Sequence, residues 1–251
     1  MRPLAVILAA GCLLSCGMPP PLDEADISAY RQLQAARVDQ FRSAAYLIDL
    51  RVNDAGTKFS VSTELYFSGD SVGFYGRGYF GKGAFKGNII DSQITVYFEG
   101  RNKYFAAAEN RISTGTDCDE PGEVLLYMLS LFSGRHRAGD DITMVSAAKR
   151  MTRYSEGRYE GSVVLAGNKR EYPMREILVD SACGDTITLA YSSFRAKFPF
   201  YQITEGRYDN AEWDFHVRGF VREQRYNVEV APKKFALDIP ADATRIEKLG
   251  K

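Results

Sequence analysis

Imidazole serves both as general base and as metal ligand, so the two histidines are the first residues to weigh for chemistry. His136 stands in Gly-Arg-His-Arg and His216 in Trp-Asp-Phe-His-Val-Arg. Their spacing suits neither a zinc site nor a nucleophile–base–acid triad, and both read as surface residues. Acids cluster only in segments of loop composition, at Asp117, Asp119, Glu120 and the pair Asp140–Asp141. A calcium loop needs a regular series of oxygen ligands, which Asp117-x-Asp119 does not supply. Gly76-x-Gly78-x-x-Gly81 matches a dinucleotide fingerprint by letters. That fingerprint requires a strand–turn–helix unit, and here the glycines fall inside a predicted β-hairpin. The sequence therefore offers no catalytic residues, no metal site and no cofactor, and it reads as a non-enzyme.

The residue that does carry chemistry is a cysteine near the start. Met1-Arg2 is a short positive region, Leu4 to Leu14 is apolar apart from Gly11 and Cys12, and Leu13-Leu14-Ser15-Cys16 closes the run. Eleven residues are too few to span a bilayer as a helix; a short apolar run ending in small residues is an export signal. Leu-x-Ser-Cys resembles the bacterial lipobox, in which the cysteine is lipidated and becomes the mature N-terminus. Cys16 is the favoured site. Cys12, after Ala9-Ala10-Gly11, is a second possible site with a very short apolar region, and an ordinary cleaved signal is the alternative to both. Gly17 after the cysteine is not the aspartate that retains lipoproteins at the inner membrane, so a lipid anchor in the outer membrane, facing the periplasm, is expected.

Two cysteines remain, Cys118 in Asp-Cys-Asp and Cys183 in Ala-Cys-Gly-Asp. An exported chain meets an oxidising compartment, so the pair reads as a disulfide. Charge is balanced, at 32 basic and 32 acidic residues. No basic stripe carries interleaved aromatics, which argues against nucleic acid as a partner. Fifteen Phe, fifteen Tyr and 22 Gly point to a β-rich fold with many turns.

The elements follow from periodicity. Residues 1–16 are the leader and 17–27 a tether, and 28–251 suffice for a single domain. A helix is predicted over Ser28–Ser43, capped by Ser28, with Tyr30, Leu33, Ala36/Arg37 and Phe41 on one side. Apolar residues then recur at every second position: Tyr46, Ile48, Leu50 and Val52; Phe59, Val61, Leu65 and Phe67; Val72 and Phe74; Ile94, Val96 and Phe98. Period two predicts antiparallel strands with one apolar face. Asn53-Asp54-Ala55-Gly56 and Ser68-Gly69-Asp70 are predicted turns. Seven glycines between Gly69 and Gly87 predict strong curvature, with Tyr79, Phe80 and Phe85 on a turn that either projects to touch lipid or a partner or folds back into the core. Val124 to Phe132, including Leu125 and Leu129, is apolar nearly all round, which predicts a buried helix acting as a lid. After a weakly helical or irregular stretch to Arg150, alternation returns at Arg153. Glu156-Gly157-Arg158-Tyr159 and Glu205-Gly206-Arg207-Tyr208 read as shared turn chemistry. Ile187, Leu189 and Tyr191 alternate, as do Trp213, Phe215, Val217 and Val221, then Tyr226, Val228 and Val230, then Phe235, Leu237 and Ile239 before Pro240. In all, ten or eleven strands and two helices are expected.

This order of parts resembles the LolA/LolB-like lipoprotein carriers. In LolB-like chains a lipobox is followed by a helix, strands and a G/N-P-L-G turn with an exposed apolar residue. Gly78-Tyr79-Phe80-Gly81 is similar to that turn, with Phe80 at the apolar position and Tyr79 replacing proline. The C-terminal Lys-Lys-Phe-Ala-Leu-Asp-Ile-Pro-Ala-Asp-Ala is similar to the F-x-(I/V)-P-x-(G/D)-A ending of related carriers. The resemblance implies an unclosed, strongly curved half-barrel with helices stopping its mouth. Physical reasoning leads to the same shape, since a curved antiparallel sheet encloses its inner apolar side chains. An incompletely packed interior would form an acyl-chain pocket lined by Ile48, Leu50, Val61, Leu65, Phe74, Val96, Phe98, Leu125, Leu129, Trp213 and Phe215. The function implied is binding of acyl chains for lipoprotein or lipid transfer without covalent chemistry, with a periplasmic carrier protein as a further partner. The alternatives are a scaffold lipoprotein whose barrel is fully packed and whose sheet makes protein contacts, and an envelope hydrolase, for which the sequence lacks a nucleophile–base pair.

Overall fold

The structure, a computed structural model, describes residues 20–78, 83–91, 93–108, 142–156, 159–166, 172–180, 183–192, 200, 202–210 and 214–247. Among these, α1 is Glu24–Gln40. The strands are β1 Ser43–Asp54, β2 Thr57–Ser68, β3 Ser71–Arg77, β4 Gly83–Ile90, β5 Gln93–Phe98, β6 Lys103–Ala108, β7 Thr143–Ser146, β8 Met151–Glu156, β9 Tyr159–Leu165, β10 Pro173–Asp180, β11 Asp185–Ser192, β12 Gln202–Asn210, β13 Phe215–Tyr226 and β14 Thr244–Ile246. All fourteen form one sheet, in the order β14-β6-β5-β4-β3-β2-β1-β13-β12-β11-β10-β9-β8-β7. It is mainly β and unclosed: β14 and β7 end it, and every ladder is antiparallel except the short β14–β6 pair. The expected half-barrel with an N-terminal helix is the observed architecture.

Two meanders meet at the long β1–β13 pair. Inner residues from both form a single buried cluster that runs from Phe105 on β6 through Ile48 and Leu65 to Leu178 on β10. The turn between β1 and β2 is Ala55-Gly56, both with positive φ; this mirror-image turn suits the twist of a hairpin. The chain leaves the sheet after β6, beside one edge, and returns as β7 at the opposite edge. The predicted lid, Val124–Phe132, falls in the segment between them and lies outside the described residues.

Several expectations are corrected. The helix opens at Glu24, not at Ser28, because Asp23 and Asp26 close a capping box: Asp26 N donates to Asp23 Oδ1 (2.9 Å) and Asp23 N to Asp26 Oδ2 (3.1 Å). It ends at Gln40, and Ser43 already begins β1. The chain is docked from Leu22, which is buried and donates its backbone N–H to Ala147 O (2.8 Å). Phe59 shares a face with Val52 and Val61 but sits at the rim, half exposed. Glu205–Tyr208 lies inside β12, not in a turn. Tyr226 ends β13, and Val228 and Val230 follow outside any strand.

Phe235, Leu237 and Ile239 also make no strand. They do alternate in burial, but as a strap laid across the outer face. Lys234 O sits where a Cβ on Gly73 would stand, Asn88 Nδ2 donates to Phe235 O (2.8 Å), and Lys234 Nζ donates to Glu64 (3.0 Å). The strap then closes the β6 edge as β14. The described residues hold fourteen strands where ten or eleven are expected; one of them, β7, falls in the stretch read as weakly helical or irregular.

Candidate functional site

The inner face is built from lateral rows of paired residues, because residues opposite each other on neighbouring strands share a face. One row runs Tyr46, Leu65, Phe74, Gly87, Val96, Phe105 across β1 to β6. It is apolar apart from the Tyr46 hydroxyl. Its glycine makes room for an aromatic: a Cβ on Gly87 would stand 2.3 Å from the Phe74 ring, and one on Gly76 would stand 2.5 Å from the Phe85 ring. The glycine-rich segment thus receives rings across the strands, and the two phenylalanines lie 6.1 Å apart.

The row in the other direction runs Leu50, Gly219, Gly206, Leu189, Glu176, Val163, Thr152 across β1 and β13 to β8. Here a carboxylate points inward. Glu176 is 2% exposed and accepts hydrogen bonds from the hydroxyls of Tyr154 and Tyr191, the latter at 2.5 Å. Above it lies the buried side of α1, with Ile27, Tyr30, Leu33, Gln34 and Arg37. Burial, followed by the nearby Glu176 charge, pushes the phenols of Tyr30, Tyr154 and Tyr191 up, and the Arg37 charge opposes this at Tyr30 and Tyr191. The Tyr154 and Tyr191 phenols therefore stay neutral donors to Glu176. A second buried polar group closes the far end: Asp185 accepts from Tyr208 (2.6 Å) and Asn210 (2.8 Å), and Asn210 also donates to Cys183 O (3.1 Å).

Of the residues read as pocket lining, Ile48, Leu50, Leu65, Phe74, Val96 and Phe215 all belong to the single inner cluster. Val61 is buried on the same face, and Phe98 packs against the cluster half-buried. Leu125, Leu129 and Trp213 lie outside the described residues, as do Tyr79, Phe80, Cys16, Cys118 and His136. Phe85 is not on a turn; it belongs to β4, half-buried over Gly76 and against the inner cluster. Cys183 is buried. His216 is on the outer face, 2.8 Å from Asp209 and 3.2 Å from Asp214.

Sequence reasoning missed Glu176, since an acid at an inward position interrupts the apolar alternation that reveals a strand. Arg37 was legible only as a residue of the buried helical stripe. Among the described residues no group of three acids, histidines or cysteines could hold a metal, and no helix is long and apolar enough to cross a membrane. A hollow of about 160 Å³ lies on the outer face, lined by residues including Leu47, Glu64, Tyr66, Glu223 and Arg225, and is half polar. The inner face, by contrast, is lined by buried apolar side chains, with the buried Glu176 carboxylate held by Tyr154 and Tyr191.

No family model and no curated protein matches the sequence. Solved structures do resemble it. A DUF1329 family protein from Desulfovibrio piger is 12% identical, with 83% of this chain and 96% of that chain covered at a TM-score of 0.52. A LolA superfamily protein from Nitrosomonas europaea is 10% identical over 83% of this chain and 98% of that one, at 0.47. Lipoprotein LppX of Mycobacterium tuberculosis is 8% identical over 84% and 99%, at 0.35. At such identities the likeness concerns the fold alone: the chain has the half-barrel fold seen in the DUF1329 family protein, and LolA superfamily structures are among those it resembles.

Proposed function

We infer that the protein binds acyl chains against the concave face of its half-barrel and serves lipoprotein or lipid transfer in the cell envelope, without covalent chemistry. The observation that carries this reading is the continuous apolar inner face of an unclosed sheet, from Phe105 through Leu65 and Ile48 to Leu178. An open curved sheet lined this way is suited to linear apolar guests. The reading extends to the parts outside the described residues. Cys16 is the lipid attachment site that holds the chain to the outer membrane, on a short tether that leads into the half-barrel domain. Val124–Phe132 covers the concavity. Tyr79 and Phe80 meet a leaflet or a periplasmic carrier. Cys118 and Cys183 form a disulfide, supported by Cys183 being buried and bonded rather than a free thiol.

Protein extracted from membranes should carry co-purifying lipid or acylated peptide by mass spectrometry and take up a fluorescent fatty acid; finding neither argues against the reading. The near-complete burial of Ile48 and Leu65 favours the second reading, a packed scaffold lipoprotein. Crosslinking that captures one envelope protein, with no lipid bound, would select it. Cys16→Ala should release the chain from membranes, and continued fractionation with membranes at high salt would contradict the anchor. Phe80→Glu should lower membrane association while leaving the melting temperature nearly unchanged.

A further inference from the structure

The outer face of the central strands carries an arrangement that the acyl-chain reading leaves unused. Register places Arg51 on β1 opposite Arg218 on β13, and Arg218 opposite Arg207 on β12. Three arginines thus stand side by side on adjacent strands, about 4.8 Å apart in the hydrogen-bonding direction. Like charges directly opposite across a ladder repel. The neighbouring acids relieve this only in part. Arg218 is paired with Glu205 (2.6 Å), Arg207 with Asp209 (2.6 Å), and Arg222 with Asp49. In each pair the carboxylate lies low, with a side-chain exposure of 22–28%, while the guanidinium projects, at 52–63%. Arg51 has no carboxylate partner among the described residues. It lies over the Phe220 ring, 5.0 Å from the centroid, and Arg218 lies over the same ring at 4.5 Å. The two charges are therefore within about 10 Å of each other.

Stacking on an aromatic face holds a guanidinium in place and leaves its N–H edge open, and that edge matches the oxygens of a phosphate bidentately. All five donors of Arg51, and those of Arg218 not taken by Glu205, remain for an outside acceptor. The geometry points to a phosphate-binding site at Arg51 and Arg218 over Phe220, with Arg207 alongside. A bound phosphate removes the repulsion that the register builds in. The phosphate comes from an anionic lipid headgroup or from free phosphate, and the site is independent of any guest on the concave face.

The test uses unlipidated full-length protein carrying Cys16→Ala, so that no anchor contributes. Flotation with phosphatidylglycerol–phosphatidylcholine vesicles is compared with phosphatidylcholine alone, and inorganic phosphate is titrated by calorimetry. Binding to the anionic vesicles should fall about tenfold in Arg51→Gln/Arg218→Gln, and Arg51→Lys should recover part of it. Both positions are exposed, so the melting temperature of the variants should match or exceed the parent's; a fall shared with Arg51→Lys would mean a structural role and overturn the site. Vesicle binding that inorganic phosphate displaces assigns the site to phosphate from either source, and binding that it does not displace assigns it to headgroups. Equal binding by parent and double variant, or binding of neither probe by the parent, overturns the proposal.

Discussion

The two halves of the inner face solve the same packing problem differently. Between β1 and β6 the inward row is nearly all hydrocarbon, and size is balanced by glycine: Phe74 fills the space over Gly87, and Phe85 that over Gly76. Between β8 and β12 the inward positions include Glu176, Asp180, Asp185, Asn210, Tyr154 and Tyr208, all buried. That half rests on hydrogen-bonded networks, and α1 packs on it through Leu33, Tyr154, Val163 and Leu165. An apolar face tolerates small mismatches one contact at a time, whereas a buried carboxylate is tolerable only while its donors are all present. The first half therefore suits the acyl-chain surface proposed above, and the second a fixed frame.

The sharpest way to break this contrast is Glu176→Ala. It strands the two buried phenols of Tyr154 and Tyr191, at about 1–3 kcal/mol each in urea unfolding, with α1 losing amide protection first. A loss no larger than that of an exposed acid would mean the frame does not depend on the network. On the apolar side, Gly87→Val should cost about 1–3 kcal/mol, because the new Cβ would meet both the Phe74 ring and Thr95 O. A second loss from Phe74→Leu in that background should be smaller than in the parent, since the clash partner has shrunk.

The same contrast explains what could be read from the residues alone. Strands β1, β2, β3 and β5 announce themselves because Ile48, Leu50, Leu65, Phe74 and Val96 fall at alternate positions, whereas β4 is hidden by its glycines and its Phe85 reads as part of a turn. Strand β10 does not, since its inward set is Glu176, Leu178 and Asp180, and local pattern assigns acids to solvent. The helix was legible by its stripe, but its start was misplaced because Asp23 and Asp26 cap each other and Ser28 is already inside. The strap was legible as alternation and misread as a strand: Phe235, Leu237 and Ile239 face a sheet, but from above it rather than within its ladder. Only long-range register, absent from any local window, aligns Arg51 with Arg218 and Arg207.

Smaller effects refine the frame. Asp23→Ala removes the cap of α1 and should cost about 1 kcal/mol, read as a lower urea midpoint with an unchanged slope. The strap should respond to pH at both extremes. Hydrogen bonding from Tyr66, with help from Lys234, holds Glu64 below the usual carboxylate range. Its contribution is therefore present above that range and lost as the pH falls through the lowered value. The contact with Tyr66 raises Lys234, whose contribution is complete below the ordinary lysine pKa and lost as the pH rises through the raised one. Proteolytic nicking within residues 227–247 should therefore be slow at neutral pH and faster at acid and alkaline extremes, and Lys234→Ala should flatten the profile.

The central claim is that the apolar half of the inner face holds acyl chains. A photoactivatable fatty acid, bound to the membrane-extracted protein and then irradiated, tests it most directly when the adducts are mapped by mass spectrometry. The account predicts adducts on inward residues of β2, β3 and β5, such as Leu65, Phe74 and Val96, with few on outward neighbours such as Ser62, Tyr75 and Thr95. Adducts confined to the outer face, or no adducts from a bound probe along these strands, would contradict it.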